Sequence, residues 1–444
     1  MDAASPTGAL PGHTTGQTSS RVYAWYVVGL LSLGHLVSFI DRFVMSLVLT
    51  PLKAEMHLSD GQLGMVQGLG FVILYSVAGI PIGRLADVVS RRGLIAAGML
   101  IWSLATAACA FAHTYNQLFA ARIIVGFGEA ALVPAAMSLI SGYFDKTEIA
   151  RPVSTFTMGA PIGKTVALVA GAWLLGLMIP LGGLDVPLLG HFKPWQGLFL
   201  AASLPGLLLI PFLMTIGDPS RNRPSAPGQR AFKDVLRHMG VNLPAYAVHI
   251  TAACAAILLV QAFGVWAPSF FARLHGLSVP QSGYVVGAAT VVSSPLGNLF
   301  GGWLTARLQR KGVAAAPLVV IGFSLLAAIP LSLALVVAPS VPVAAIAFGV
   351  LTFLLSCTSG PALSGLQSLT PPHQRGAATA VYMCIMTVIS VGLGPTLVGV
   401  LSDGVFGGGR GLGPALMATT AIVAAAGIAC VAMGRRAFEA SAIR

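Results

Sequence analysis

Two acids and two bases stand in stretches otherwise too apolar to hold charge: Asp41, Arg42, Arg122 and Glu129. Arg122 and Glu129 lie in NQLFAARIIVGFGEAALVPAAMSLISG, residues 116–142. Their spacing of seven puts them on nearly one face of a helix, about 10 Å apart along its axis. Asp41 and Arg42 are neighbours in an earlier apolar run and so point about 100° apart, which lets one helix address two partners. A charge at mid-bilayer costs roughly 2.5–3.5 kcal/mol even on the lenient insertion scale. Such groups therefore face a protein interior or a watery cavity and need partners. The chemistry open to them is exchange of ion-pair partners coupled to proton uptake. Burial disfavours a bare carboxylate and a guanidinium restores it, so a change of partner moves a proton. The bland alternative is a static network that fixes helix packing, but four charges are an expensive way to join two helices when small residues would serve.

These residues need membrane helices to position them. Twelve apolar runs, at about 23–49, 61–82, 93–113, 116–142, 151–178, 195–216, 241–271, 278–305, 313–338, 341–369, 375–401 and 412–434, are each long enough to span a bilayer as a helix. The expected fold is an all-α membrane protein of twelve transmembrane helices in two six-helix bundles. The bundles occupy 21–216 and 241–434, with a disordered N-terminal tail at 1–20 and a C-terminal tail at 435–444. Residues 217–240 form the polar, Pro-rich linker, ending in AFKDVLRHM. There Phe232, Val235, Leu236 and Met239 make one apolar stripe, as expected of a short amphipathic helix on the membrane surface. By helix rise, Arg122 and Glu129 fall about 9 and 20 Å below the outer end of the fourth span, and Asp41 and Arg42 about 10–12 Å below the outer end of the first. Side chains lean toward their own helix N-terminus, which favours the pairs Arg42–Glu129 and Asp41–Arg122.

Composition excludes most other classes. Of 444 residues, 56% are hydrophobic and only 9% charged, where soluble proteins carry about 25% charged. The formal charge of +12 is placed by topology, not by nucleic-acid binding. With the N-terminus inside, 18 Lys and Arg fall on the cytoplasmic side, four outside (Lys53, Lys193, Arg273, Arg410) and three in spans. That asymmetry is the positive-inside rule and predicts an inner-membrane protein with both termini cytoplasmic. The five cysteines are isolated in apolar runs and have neither disulfide nor metal spacing. Residues 1–20 lack the charged start and apolar core of a signal peptide, so the first span is expected to be retained. No HExxH, GxSxG or Cys/His nucleophile spacing occurs, so no enzyme, cofactor or metal is expected. GAPIGKT at 159–165 imitates a phosphate loop, but it is one residue short and lies in a membrane helix. Lys164 is instead a candidate cavity-facing anion contact, its alternative being a snorkelling or carbonyl-bound packing residue. His35 and His249 read as hydrogen-bonded interior residues.

The segment Gly83-Arg-Leu-Ala-Asp-Val-Val-Ser-Arg-Arg-Gly93 returns as Gly302-Trp-Leu-Thr-Ala-Arg-Leu-Gln-Arg-Lys-Gly312 at a constant offset of 219, a sign of duplication. GRLADVVSRRG also resembles the loop signature of the major facilitator superfamily. Leu118, Arg122, Gly126 and Gly128 match that superfamily's fourth-helix pattern. Val88 departs from the signature, where a basic residue is usual, and Ala306 stands in the repeat where Asp87 stands in the first half. The resemblance implies a conformational latch at Gly83, Asp87, Arg91 and Arg92, whose acid the second half lacks. Within the superfamily the chain is most similar to the spinster-like branch, through Asp41-Arg42, LSDGQLGMVQGLGFVILYSVAGIPIGRLAD at 58–87, WSLAT at 102–106 and RIIVGFGEA at 122–130. Ser38-Phe39 and Lys164 depart from that branch, which favours Asn-Tyr and a small residue at these places.

The resemblance implies proton-coupled alternating-access transport of an amphiphilic anionic or zwitterionic lipid such as a lysophospholipid or sphingoid phosphate. The alternative is a proton-coupled small organic-anion symporter. Asp41 and Glu129 are the expected proton-coupling residues, and Arg42, Arg122 and Lys164 the expected substrate contacts. The chain is expected to act as a monomer in a lipid bilayer. No charged residue falls inside the last six spans, which are expected to supply mainly an apolar wall.

Overall fold

The structure, a computed structural model, describes residues 21–145, 148–187, 190–218 and 228–442, with the backbone alone at 80, 84, 86–88 and 228–232. The expected N-terminal tail lies outside the described residues. Twelve helices are long and apolar enough to cross a membrane. Helices 1 to 6 are Arg21–Met56, Asp60–Gln67 continued by Leu69–Val88, Arg91–Cys109, Tyr115–Tyr143, Ala150–Met178 and Pro194–Met214. Helices 7 to 12 are Leu243–His275, Val279–Arg310, Ala316–Val336, Val341–Leu369, Pro372–Gly404 and Gly409–Ser441. A two-stranded antiparallel hairpin, β1 (Leu184–Val186) with β2 (Gly190–Phe192), joins helices 5 and 6. An even number of crossings leaves both ends of the described chain on one face, called here the termini face; the other is the far face.

Proline sets four of the breaks in the helices. A proline ring excludes the carbonyl four residues earlier and offers it no N–H. Helix 4 accordingly pauses at Ala130–Ala131 ahead of Pro134, helix 5 at Met158 ahead of Pro161, and helix 10 at Cys357–Thr358 ahead of Pro361. Helix 11 widens into a π-helical turn, Thr387–Gly392, just before Pro395. Glu129 is thus the last residue of a helical segment, held at a bend by a proline five residues on.

Glycines let the backbones touch, as membrane interfaces require. A Cβ on Gly126 would run into the Phe71 carbonyl, and one on Gly98 would sit 2.6 Å from the Gly128 oxygen. Helices 2, 3 and 4 are thereby drawn together around Trp102, which is fully buried. The bundles meet in their far halves. Gly68 abuts the Gly392 carbonyl, Gly399 the Asp60 carbonyl, and Gly283 packs on Leu168 and Ala172. On the termini face, the ends of helices 4 and 5 pack within their own bundle. The conformation is closed at the far face.

Two boundaries differ from expectation. Residues 435–441 continue helix 12 instead of forming a tail, because Phe438 is buried against His249 and Gly434 packs on Val248. The linker helix, Gly228–Val241, docks on the second bundle: Val235 and Met239 are buried, His238 Nε2 lies 3.0 Å from the Leu369 carbonyl, and Leu236 stays exposed. Phe232 lies outside the described side chains.

Candidate functional site

Helix 1 carries the centre of the site. Arg42 Nη2 donates to Glu129 Oε2 at 2.6 Å, and Ser38 Oγ donates to the same oxygen at 2.6 Å. Ser38 lies four residues before Arg42, one helical turn away, so both reach the bend after Glu129. The pair is dry, with side-chain exposures of 13% for Arg42 and 1% for Glu129. The Arg42 guanidinium lies over three rings, 4.7 Å from the centroid of Phe39, 4.1 Å from Phe71 and 5.8 Å from Tyr75. Gln67 Nε2 donates to the Arg42 main-chain carbonyl and pins that turn of helix 1 to helix 2. The expected Arg42–Glu129 pair is therefore present, within an aromatic enclosure that restricts it.

Asp41 and Arg122 are both fully buried, yet they do not close an ion pair. Arg122 Nη1 reaches the main-chain oxygen of Asp41 at 3.5 Å, and its Nε and Nη2 find no hydrogen-bond partner. Both carboxyl oxygens of Asp41 are also unpartnered. Trp102 and Thr106 face this carboxyl without closing a hydrogen bond to it. The helix geometry that put Asp41 and Arg122 at similar depth is right, but a side chain's reach depends on rotation about two helix axes, which spacing does not set. Phe71 is shared by the two arginines, its centroid 5.9 Å from the Arg122 guanidinium. The arrangement contains one closed pair and one open pair, with both arginines against the same ring.

Lys164 lies over the Phe43 ring at 4.9 Å and stands opposite Gly264 of helix 7, and no described carboxylate pairs with it. His35 and His249 bond main-chain carbonyls, those of Phe156 and Ala362, as expected of interior histidines. Arg91 binds Asp218 and Ser138, and Arg92 binds the Met214 and Ile216 carbonyls. These partners lie in the first bundle or, for Asp218, just past its end, so in this conformation the two arginines brace helix 3 against helix 4 and the end of helix 6. A Cβ on Gly83 would meet nothing within 4 Å, and the Asp87 side chain lies outside the described residues.

The far face carries a second charged cluster. Asp60, wholly buried at the start of helix 2, accepts from Arg273 Nη1 through both oxygens at 2.8 and 2.9 Å, from Lys53 Nζ at 2.7 Å and from Ser402 Oγ at 2.7 Å. Asp403 accepts the Gly61 N–H at 2.6 Å. These bonds join helices 1 and 2 to helices 7 and 11, and so tie one bundle to the other. The sequence held a signal for them: Lys53 and Arg273 are two of the few basic residues on the basic-poor side. Their common acid, 213 residues from Arg273, carries no local sign of it.

A two-bundle membrane protein of twelve spans, tied shut at one face by ion pairs and holding charges in its interior, has the architecture of a carrier. The chain belongs to the Major Facilitator Superfamily, whose pattern matches residues 31–395. Its likeness to spinster proteins is equally plain. A bacterial homologue of the human lysosomal transporter spinster, solved in an inward-facing, unoccupied conformation, superposes with a TM-score of 0.77 at 24% identity, over 95% of this chain and 98% of that one. The chain is 27% identical over 413 residues to an MFS-type efflux pump of Mycolicibacterium smegmatis, covering 92% of this chain and 91% of the pump. It is 24% identical over 395 residues to the sphingosine-1-phosphate transporter SPNS2 of Danio rerio, covering 84% of this chain and 75% of that protein.

Proposed function

We propose that this carrier moves an amphiphilic lipid with an anionic or zwitterionic head, lysophospholipid-like or sphingoid-phosphate-like, by proton-coupled alternating access across the inner membrane. The observation that carries the reading is the closed Arg42–Glu129 pair beside the open Asp41–Arg122 pair, with both arginines against the Phe71 ring. A phosphate or carboxylate head competes with Glu129 for Arg42 and takes the unsatisfied N–H groups of Arg122 in bidentate form. The displaced carboxylate then takes a proton, and the acyl chain lies along the apolar mid-membrane wall of the second bundle. Sphingosine-1-phosphate, the cargo named for one relative, has this form. The termini face is the cytoplasmic face in this reading, so the structure stands inward-facing.

The test is uptake into proteoliposomes under an imposed pH gradient, with single-chain phospholipids and short carboxylates side by side. Gradient-dependent uptake of the phospholipids is expected. Uptake of the carboxylates alone would replace the lipid reading with that of an organic-anion symporter. Arg122→Ala should weaken phospholipid binding about tenfold or more, the value of a charged hydrogen bond, and Arg122→Lys should restore only part of it because the fork geometry is lost. Equal affinity of Arg122→Ala and the unaltered protein, measured by calorimetry, would leave Arg122 a packing role only.

Gly83, Asp87, Arg91 and Arg92 are the latch of the opposite, outward-facing state in the same reading. Arg91 and Arg92 bond to the end of helix 6 and to Asp218 just past it, not across to the second bundle. Asp87→Asn should then hold the molecule inward-facing, lengthening the time-averaged spin-label distance across the termini face. A distance unchanged from the unaltered protein would remove Asp87 from the latch.

A further inference from the structure

The interior charges do not balance. Arg42 and Arg122 are matched in number by Glu129 and Asp41, whereas Lys164 has no acid partner among the described residues. Its position is specific. Lys164 and Ser294 line both a cleft of about 160 Å³ between helices 5 and 8 and a smaller cavity of about 20 Å³ bounded by Phe263, Gly264 and Thr352. Lys164 is also linked to Arg42 along helix 1. Lys164 lies over Phe43, Phe43 stacks on Phe39 at 6.1 Å, and Arg42 lies over Phe39. The two cations thus sit at opposite ends of one aromatic strip.

We propose that Lys164 is the charge selector of this carrier: it makes the interior one positive charge in excess and so selects a cargo of net negative charge over a zwitterion. The inference rests on the transport reading above and narrows its lipid class to net anions. A part-buried ammonium without a counter-charge is costly, and an ion pair or charge-assisted hydrogen bond from the cargo relieves it. A net anion relieves it outright. A zwitterion brings a phosphate but also a second cation, and the excess remains. The Ser294 and Thr352 hydroxyls beside Lys164 offer neutral donors to the same anionic group.

The experiment compares lysophosphatidylglycerol, a monoanion, with lysophosphatidylcholine, a zwitterion of the same chain, for binding to the purified full chain in nanodiscs. Hexanoate and hexanamide form a second, lipid-free pair. The unaltered protein is expected to prefer the charged member about tenfold, a charged hydrogen bond's worth of affinity. Lys164→Gln should reduce the preference to below twofold by weakening the anion alone, and Lys164→Arg should keep it. Arg122→Ala differs in weakening both phospholipids together. Failure of both phospholipids to bind, with hexanoate bound, overturns the lipid reading, and the hexanoate pair still decides the role of Lys164. An anion preference that survives Lys164→Gln in whichever pair binds, or no binding by either pair, overturns the selector.

Discussion

Glu129→Gln is expected to abolish uphill transport while sparing exchange. With one proton coupled per cargo molecule, a gradient of one pH unit can support a concentration ratio of roughly tenfold, since each unit is about 1.4 kcal/mol. The variant should fall to a ratio near one. Gln keeps an oxygen that can accept from Ser38 and Arg42, so the bend of helix 4 and the aromatic enclosure survive, but the side chain can neither gain nor lose a proton. The measurement is uptake in vesicles with and without the gradient, alongside exchange of preloaded cargo. Accumulation by Glu129→Gln as steep as that of the unaltered protein would sink the assignment. Asp41→Asn should impair accumulation less, because Asp41 makes no closed ion pair here and Arg122 already leans on the main chain.

The second large effect is expected at the far face. Asp60→Asn removes the acid that binds Arg273, Lys53 and Ser402 together, leaving Arg273, 9% exposed, without its counter-charge. Breaking one side of a buried pair costs about 3–5 kcal/mol. The share carried by Arg273 and Ser402 falls on the far-closed state alone, because those bonds join the two bundles, whereas Lys53–Asp60 lies within the first. Even half of it shifts the balance between conformations by more than tenfold toward far-face opening. Spin labels at Leu181 and Val337, both exposed on the far side, report the change in a background lacking the five native cysteines. Asp60→Asn should add a longer distance as the main population. A distribution that stays at the unaltered distance would show that glycine-mediated backbone contact, as between Gly68 and Gly392, holds the face shut without the charges.

Much of the molecule is legible before any coordinates. The twelve spans follow from hydropathy, because a bilayer admits only helices of a set length; the division follows from the Pro-rich linker and the internal repeat, and the carrier class from the family resemblance. The interior charges are legible for the same reason: a charged residue in a span must be used. The Arg42–Glu129 pair could be read from helix rise and side-chain lean, both one-dimensional quantities. Rotation about helix axes is different. It decided that Asp41 and Arg122 remain apart, that Phe39, Phe71 and Tyr75 surround Arg42, and that Ser38, a departure from the related branch, shares the Glu129 oxygen. Packing also decided the reach of helix 12, through Phe438, and the docking of the linker helix on the second bundle. The far-face cluster was least legible, since Asp60 and Arg273 are ordinary polar residues at span ends until two bundles close on each other. Sequence by itself determined which residues must be buried and at what depth, because transfer from water depends on residue type and position along a helix. Only the tertiary structure decided which of them touch, because contact depends on how twelve helices are rotated and tilted against one another.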